Sequence, residues 1–429
     1  MNRNKTQNQS LINKGNLWPF ILITSLFMLW GLANNMTDTL LAAFKRIMSM
    51  SDFQTSWIQM AFYGSYFLLA LPAAILIKKY SYKAGILIGL GFFIIGSLLF
   101  YPASISMVYG HFLAALFILA GGLSILETAA NPYIIAMGPE ETATRRLNLA
   151  QAFNPIGSIT GILLSKIFIL SSLKLLDADQ RAQMAPEELK SIQAEELSSV
   201  MGPYVGMAIV LAVVWLLVRF TKMPVFGDKG KDLDLKGSLK RLLGNRNYRW
   251  SVIAQFFYMG AQIGIWSYSI RYAMQELGKT EEDASVYYMA SIVLFSGSRF
   301  VFTALMKYIA PRKLLFFAAS FGVLCTLVII YGSGMVGVIA LIMASGCMSL
   351  MFPTIYGLGM QRLDQDAKIG GSGLIMAILG GAVLTSVQGM VSDRFGSINL
   401  SFYVPLACFL VVAFYALVQK KLQDNPIRG

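Results

Sequence analysis

Apolar stretches long enough to cross a bilayer recur along this chain, separated by short polar interruptions. A hydrocarbon core about 30 Å thick takes roughly 20 residues of helix at about 1.5 Å per residue. Twelve runs reach that length, near 17–43, 54–77, 84–101, 106–137, 144–172, 200–221, 250–275, 284–306, 313–331, 335–360, 368–391 and 398–419. The pattern predicts an all-α polytopic membrane protein with twelve transmembrane helices. The first run is too long for a signal-peptide core and no small-residue cleavage pattern follows it, so it reads as the first span. The longest polar interruption between spans, 222–249, divides them into two sets of six. The expected organisation is a cytoplasmic tail 1–16, an N-terminal six-helix bundle 17–221, a cytoplasmic linker 222–249, a C-terminal six-helix bundle 250–419 and a cytoplasmic tail 420–429.

Composition agrees. Hydrophobic residues make up 56% of the 429 residues and charged ones 13%, with a mean hydropathy of +0.61. Soluble domains carry about 25% charge, which argues against a soluble enzyme. The net charge of +13 is a topology signal rather than a nucleic-acid footprint, because Lys and Arg sit in the short loops between spans. With both termini inside, the inner segments sum to +16 and the outer ones to −5, as the positive-inside rule requires. The halves also echo each other: LIKKYSYK after span two resembles LMKYIAPR after span eight, and Pro132 in span four has a counterpart in Pro353 of span ten. Two six-helix bundles around a midplane site is the plan of major facilitator transporters.

Chemistry is expected where polar groups lie inside spans. Cys325, Cys347 and Cys408 fall within apolar runs and read as buried hydrophobes, with neither a disulfide framework nor a metal-ligand spacing. GKT at Gly278–Thr280 lacks the earlier glycine and the strand of a phosphate loop. No nucleophile–base or metal constellation stands out, so no enzyme activity, resident cofactor or metal is expected. Lys166, Arg219 and Arg271 lie near span ends where long side chains can snorkel, whereas Arg299 is deeper and both readings stay open. A membrane-buried acid costs roughly 2.5–3.5 kcal/mol and so faces the bundle interior or a water path. Asp38 and Glu127 are therefore the candidates for function. Gly31, Asn34, Asn35 and Asp38 share one helical face. Glu127 shares a face with Asn131, next to Pro132, which cannot hydrogen-bond back to Thr128. Asn148, Gln151, Asn154 and Ser158 form a stripe in span five, and Gln262 and Trp266 share a face of span seven. Convergent amides, a carboxylate and an aromatic ring suit a neutral polyol. A buried carboxylate can load a proton on one side of the membrane and release it on the other.

Several strings resemble one branch: WGLANNMTDTLL (Trp30–Leu41), FQTSWIQMAFYGSYFL (Phe53–Leu68), KKYSYKAGILIGL (Lys78–Leu90), LETAANPYIIAMGPE (Leu126–Glu140), RLNLAQAFNPIG (Arg146–Gly157) and AQIGIWSYSIRYA (Ala261–Ala273). They are similar to the fucose-galactose-glucose:proton symporters of the major facilitator superfamily, from about residue 17 to the C-terminus. The resemblance implies a bacterial inner-membrane importer of a monosaccharide, L-fucose first, by proton symport and alternating access. It implies sugar contact and proton coupling at Glu127, a second protonatable group at Asp38, and a sugar site lined by Asn35, Gln151, Asn154, Gln262 and Trp266, with Asn131 beside Glu127. The coupling ion is expected to be a proton, the partners a small sugar and the lipid bilayer without nucleic acid, and the carrier a monomer. The alternatives are a glucose/galactose carrier of the same branch, sodium-coupled in some relatives, and a multidrug efflux antiporter, which also wants buried acids but an apolar cavity.

Overall fold

The computed structural model describes residues 10–47, 52–168, 180–181, 183–226 and 234–424. The side chains of 38, 40–46, 52–56, 59, 199–200 and 420–424 lie outside that description, Asp38 among them, although its backbone is helical.

The N-terminal half comprises α1 (Leu17–Ile47), α2 (Asp52–Lys79), α3 (Tyr82–Ser106), α4 (Tyr109–Ala136), α5 (Ala143–Gln151), α6 (Asn154–Phe168) and α7 (Pro186–Phe220). A short helix, α8 (Leu235–Gly244), leads into the C-terminal half. That half contains α9 (Arg246–Leu277), α10 (Glu281–Leu305), α11 (Pro311–Tyr331), α12 (Gly334–Met348), α13 (Met351–Gly359), α14 (Ala367–Met376), α15 (Gly380–Phe395), α16 (Ile398–Ser401) and α17 (Tyr403–Asp424). Small polar side chains open several helices: Ser81 accepts from Ala84 N–H at 3.0 Å, Asn245 from Tyr248 N–H at 3.1 Å and Thr280 from Asp283 N–H at 3.3 Å. These satisfy donors that the first turn leaves free.

Ten helices among the described residues are long and apolar enough to cross a bilayer. The two remaining runs fall short for visible reasons. Span five is cut into α5 and α6 at Ala152–Phe153, and span seven, α9, is diluted by Gln255, Gln262 and several Tyr and Ser. Both nevertheless run through the bundle, α6 along α1 and α9 between α15 and α17. Spans ten and eleven are interrupted as well, at Ser349–Leu350 and Ala377–Leu379.

The tightest crossing inside the N-terminal half joins α1 to α6. A methyl on Gly157 would sit 1.8 Å from the Met28 carbonyl oxygen and one on Gly31 2.0 Å from that of Asn154, so the backbones touch directly. Close approach of this kind is how membrane helices gain dispersion energy, because lipid supplies no hydrophobic drive between them. The halves meet along two seams, α14 against α2 and α4, and α13 and α10 against α5. Lys166, Arg219 and Arg271 are exposed at helix ends, where snorkelling places them, whereas Arg299 is buried.

Candidate functional site

The two seams close one end of the molecule. Thr144 at the start of α5 lies against Gly357 of α13, where an added methyl would meet the threonine hydroxyl oxygen at 2.7 Å. Asn148 donates to the Thr354 hydroxyl at 3.2 Å across the same plane. This is the end at which the N-terminal segment docks: Asn13 N–H donates to the Met137 carbonyl at 3.1 Å, and Arg146, fully buried, donates to the carbonyls of Leu11, Ile134, Ile135, Gly138 and Pro139.

Toward the opposite end the halves part around a cavity of about 450 Å³. Its floor is buried Glu127, Gln151 and Arg299, and exposed Ser267 stands at its rim. The wall from the N-terminal half carries most of the polar groups, set among the rings of Trp30, Phe62, Tyr63 and Tyr66. Gly31, Asn34 and Asn35 come from α1, Glu127 from α4, and Gln151, Asn154 and Ser158 from the two pieces of span five. The wall from the C-terminal half is mainly apolar, with Met259, Ile263, Trp266, Ile292, Phe295 and Phe352 beside Gln262.

Local bonds fix several of these groups. Asn154 donates to the Phe27 carbonyl at 3.1 Å and Asn35 to that of Gly31 at 3.1 Å. Trp266 donates its indole N–H to Ser345 at 3.0 Å and meets Phe295 edge-on, with ring centroids 5.0 Å apart. Glu127 is 1% exposed and neither of its carboxyl oxygens accepts a hydrogen bond. The Tyr66 hydroxyl is adjacent, and the Trp30 indole stands beside Tyr66 in turn. A buried carboxyl without partners is costly unless it is protonated or meets a ligand.

Six of the expected site residues therefore share one cavity: Asn35, Glu127, Gln151, Asn154, Gln262 and Trp266. Asn131 is placed differently. It is fully buried one layer behind the wall and accepts from the Gln151 amide at 2.8 Å, so it orients Gln151 instead of reaching the cavity. Asn148 leaves the expected stripe, because the break after Gln151 turns α5 away from α6 and points Asn148 into the closed seam. The side chain of Asp38 falls outside the described ones.

The sequence reading missed seven cavity-lining aromatics, Trp30, Phe62, Tyr63, Tyr66, Tyr288, Phe295 and Phe352. Aromatic residues are common on every face of these spans, so only the rotation of each helix distinguishes a lining ring from a packing one. Arg299 carried the better signal, as a base deep within a span.

Residues 20–376 match the sequence profile of the Major Facilitator Superfamily. The L-fucose-proton symporter of Haemophilus influenzae is 40% identical over 95% of this chain and 98% of its own length. That of Escherichia coli is 41% identical over 95% of this chain and 94% of its own. The glucose/galactose transporter of Brucella abortus is 33% identical over 93% of each. Among solved structures, the major facilitator transporter FucP in the outward conformation superimposes with a TM-score of 0.89 at 41% identity, covering 94% of this chain and 99% of that one. Polytopic helices, an inter-half cavity and these relationships agree: the chain belongs to the major facilitator superfamily.

Proposed function

We propose that this protein imports a monosaccharide, L-fucose, by proton symport. The observation that carries the reading is Glu127, a buried carboxyl with no hydrogen-bond partner on the wall of an amide-lined cavity. Amides of Asn34, Asn35, Gln151, Asn154 and Gln262 can pair with sugar hydroxyls in both directions, and Trp266, Phe295 and Phe352 offer an apolar wall for a sugar's carbon face. Protonating Glu127 removes the charge that opposes closing a dry site around it. The relatives named as L-fucose-proton symporters support both the sugar and the ion. No resident cofactor takes part.

The cycle runs by alternating access. From the state open away from the termini, a proton and a sugar enter, the halves rock, and the seam at Thr144 and Gly357 parts to release both. The lysine- and arginine-rich segments support a reading with that seam and both termini on the cytoplasmic side of a bacterial inner membrane, and in this reading the carrier acts as a monomer. Asp38, one turn beyond Asn35 on α1, serves as the second protonatable group.

Competition by fucose, galactose, glucose and arabinose against labelled uptake in vesicles tests the cargo, and a pH electrode in lightly buffered cells tests the ion. Fucose should compete best and a fucose pulse should make the medium alkaline. Superior competition by glucose or galactose, with uptake that follows sodium, would transfer the protein to the function named for the 33%-identical relatives.

A further inference from the structure

Two carbonyls beside the cavity lose their helical partner for the same covalent reason. In an α-helix the carbonyl of one residue accepts from the N–H four residues later. Four residues after Gln151 stands Pro155, and four after Ser349 stands Pro353; proline has no N–H to give. The first opening is the α5–α6 break in the N-terminal half, the second the α12–α13 break in the C-terminal half. One side chain on α10 reaches both. Arg299 donates Nη1 to the Gln151 carbonyl at 3.0 Å and Nε to the Ser349 carbonyl. Its guanidinium lies over the Phe295 ring, 4.6 Å from the centroid, and the residue is 4% exposed on the cavity floor.

We infer that Arg299 is a positioning residue, which ties two proline-opened helix breaks together across the halves and thereby sets where Gln151 presents its amide to the substrate. Gln151 is held at two points, its side chain by Asn131 and its backbone by Arg299. Release of the second lets α5 swivel at Ala152–Phe153 and carries the amide out of register with Asn154. Arginine suits the task because its planar fork donates in two fixed directions at once; a lysine ammonium is a single point on a flexible stem. The seam between α10 and α5 crosses at this guanidinium, so it also marks the depth at which the two halves stay joined while the cavity stands open.

The effect on sugar binding rests on the proposed function, whereas the effect on the two helix breaks does not, and the experiment separates them. Deuterium uptake of the purified full-length protein in detergent is compared for wild type, Arg299→Met and Arg299→Lys. Arg299→Met should exchange several-fold faster in peptides covering both 146–158 and 344–358, with the other spans unchanged. Unchanged exchange in either segment overturns the inference. Arg299→Lys, which can hold one carbonyl at a time, should show a smaller rise across the same two segments; it carries the test if Arg299→Met cannot be recovered monodisperse, and no rise in it then overturns the inference.

Fucose affinity, read by tryptophan fluorescence, should weaken about ten-fold in Arg299→Met. In a Gln151→Ala background the same change should cost less than about two-fold, because both act through one amide. A full ten-fold loss in that background would mean that Arg299 touches the sugar directly, and it would sink the positioning role. Should wild type bind no fucose, the functional reading fails while the exchange data still decide the inference.

Discussion

Glu127 concentrates the proposed chemistry in one side chain, because among the described residues it is the buried acid that both lines the cavity and lacks a hydrogen-bond partner. Glu127→Gln keeps the shape and removes the titration. In vesicles it should abolish uphill fucose accumulation and cut sugar exchange at least ten-fold, since an amide there also alters the sugar contact. Asp38→Asn, off the main amide cluster, should abolish uphill accumulation yet leave exchange partly intact; equal survival of both activities would remove Asp38 from coupling. Arg146 illustrates the opposite use of buried charge. It donates to five backbone carbonyls and to Thr142, and it stitches the tail to the end of α4 without touching the cavity. Arg146→Met strands those carbonyls and should cost about 3 kcal/mol or more of stability, read as a lower melting temperature in detergent while fucose affinity in the surviving fraction stays within about two-fold. The sequence pointed to Glu127 because a carboxylate in an apolar run is conspicuous. It could not separate Asn131 from Gln151, since two amides on neighbouring helices look alike until the helices are rotated into place.

Helices were the more legible part. Periods of about 20 apolar residues mark crossings whatever their partners, so all twelve runs correspond to helices or helix pairs in the bundle. What stayed hidden depends on neighbours. Prolines signal lost hydrogen bonds, yet Pro72 and Pro102 lie inside continuous helices while the segments around Pro155 and Pro353 break. The difference lies across the bundle, where Arg299 donates to the carbonyls that Pro155 and Pro353 leave free. Nor did the polar stretch 222–249 announce α8, whose alternation of Lys and Leu over ten residues is too short to stand out. The Gly157/Gly161 spacing, by contrast, correctly indicates a close crossing. Gly157→Ala forces a methyl into the Met28 carbonyl and should cost about 1–3 kcal/mol as α1 and α6 are pushed apart. Thermal unfolding of the purified variant measures this, and an unchanged midpoint would show that the crossing yields without strain.

A carrier with one open end must hold the other shut only lightly, or it cannot turn over. The closed end here is fastened by side chains that span both halves through α8. Lys78 of α2 donates to Ser238 at 3.0 Å, while Arg241 makes a two-pronged bond to Asp366 just before α14, at 2.7 and 2.8 Å. Asp234 steadies the arginine from its other side at 3.3 Å and caps α8. The Gly237 N–H, with Arg241 behind it, holds the Asp234 carboxyl below the usual carboxylate range, and the Asp366 bond raises the Arg241 guanidinium further above neutrality. A depressed acid keeps its contribution at all pH values above its ordinary range and loses it only as the pH falls through the lowered value. The clasp therefore stays charged between about pH 5 and 9 and adds nothing to any pH dependence of uptake in that window. The ion pair is half-exposed, which limits it to a modest bias between the two states. Arg241→Ala should accordingly raise the fraction open on the termini side by about two- to five-fold. A cysteine in place of Thr144, buried in the seam, reports on it: a membrane-impermeant maleimide applied from the termini side should label Thr144→Cys faster by that factor when Arg241 is also alanine, with the pH profile of uptake unaltered in shape. Equal labelling rates would mean that packing of α13 and α14 alone keeps the seam closed and that α8 is a passive link.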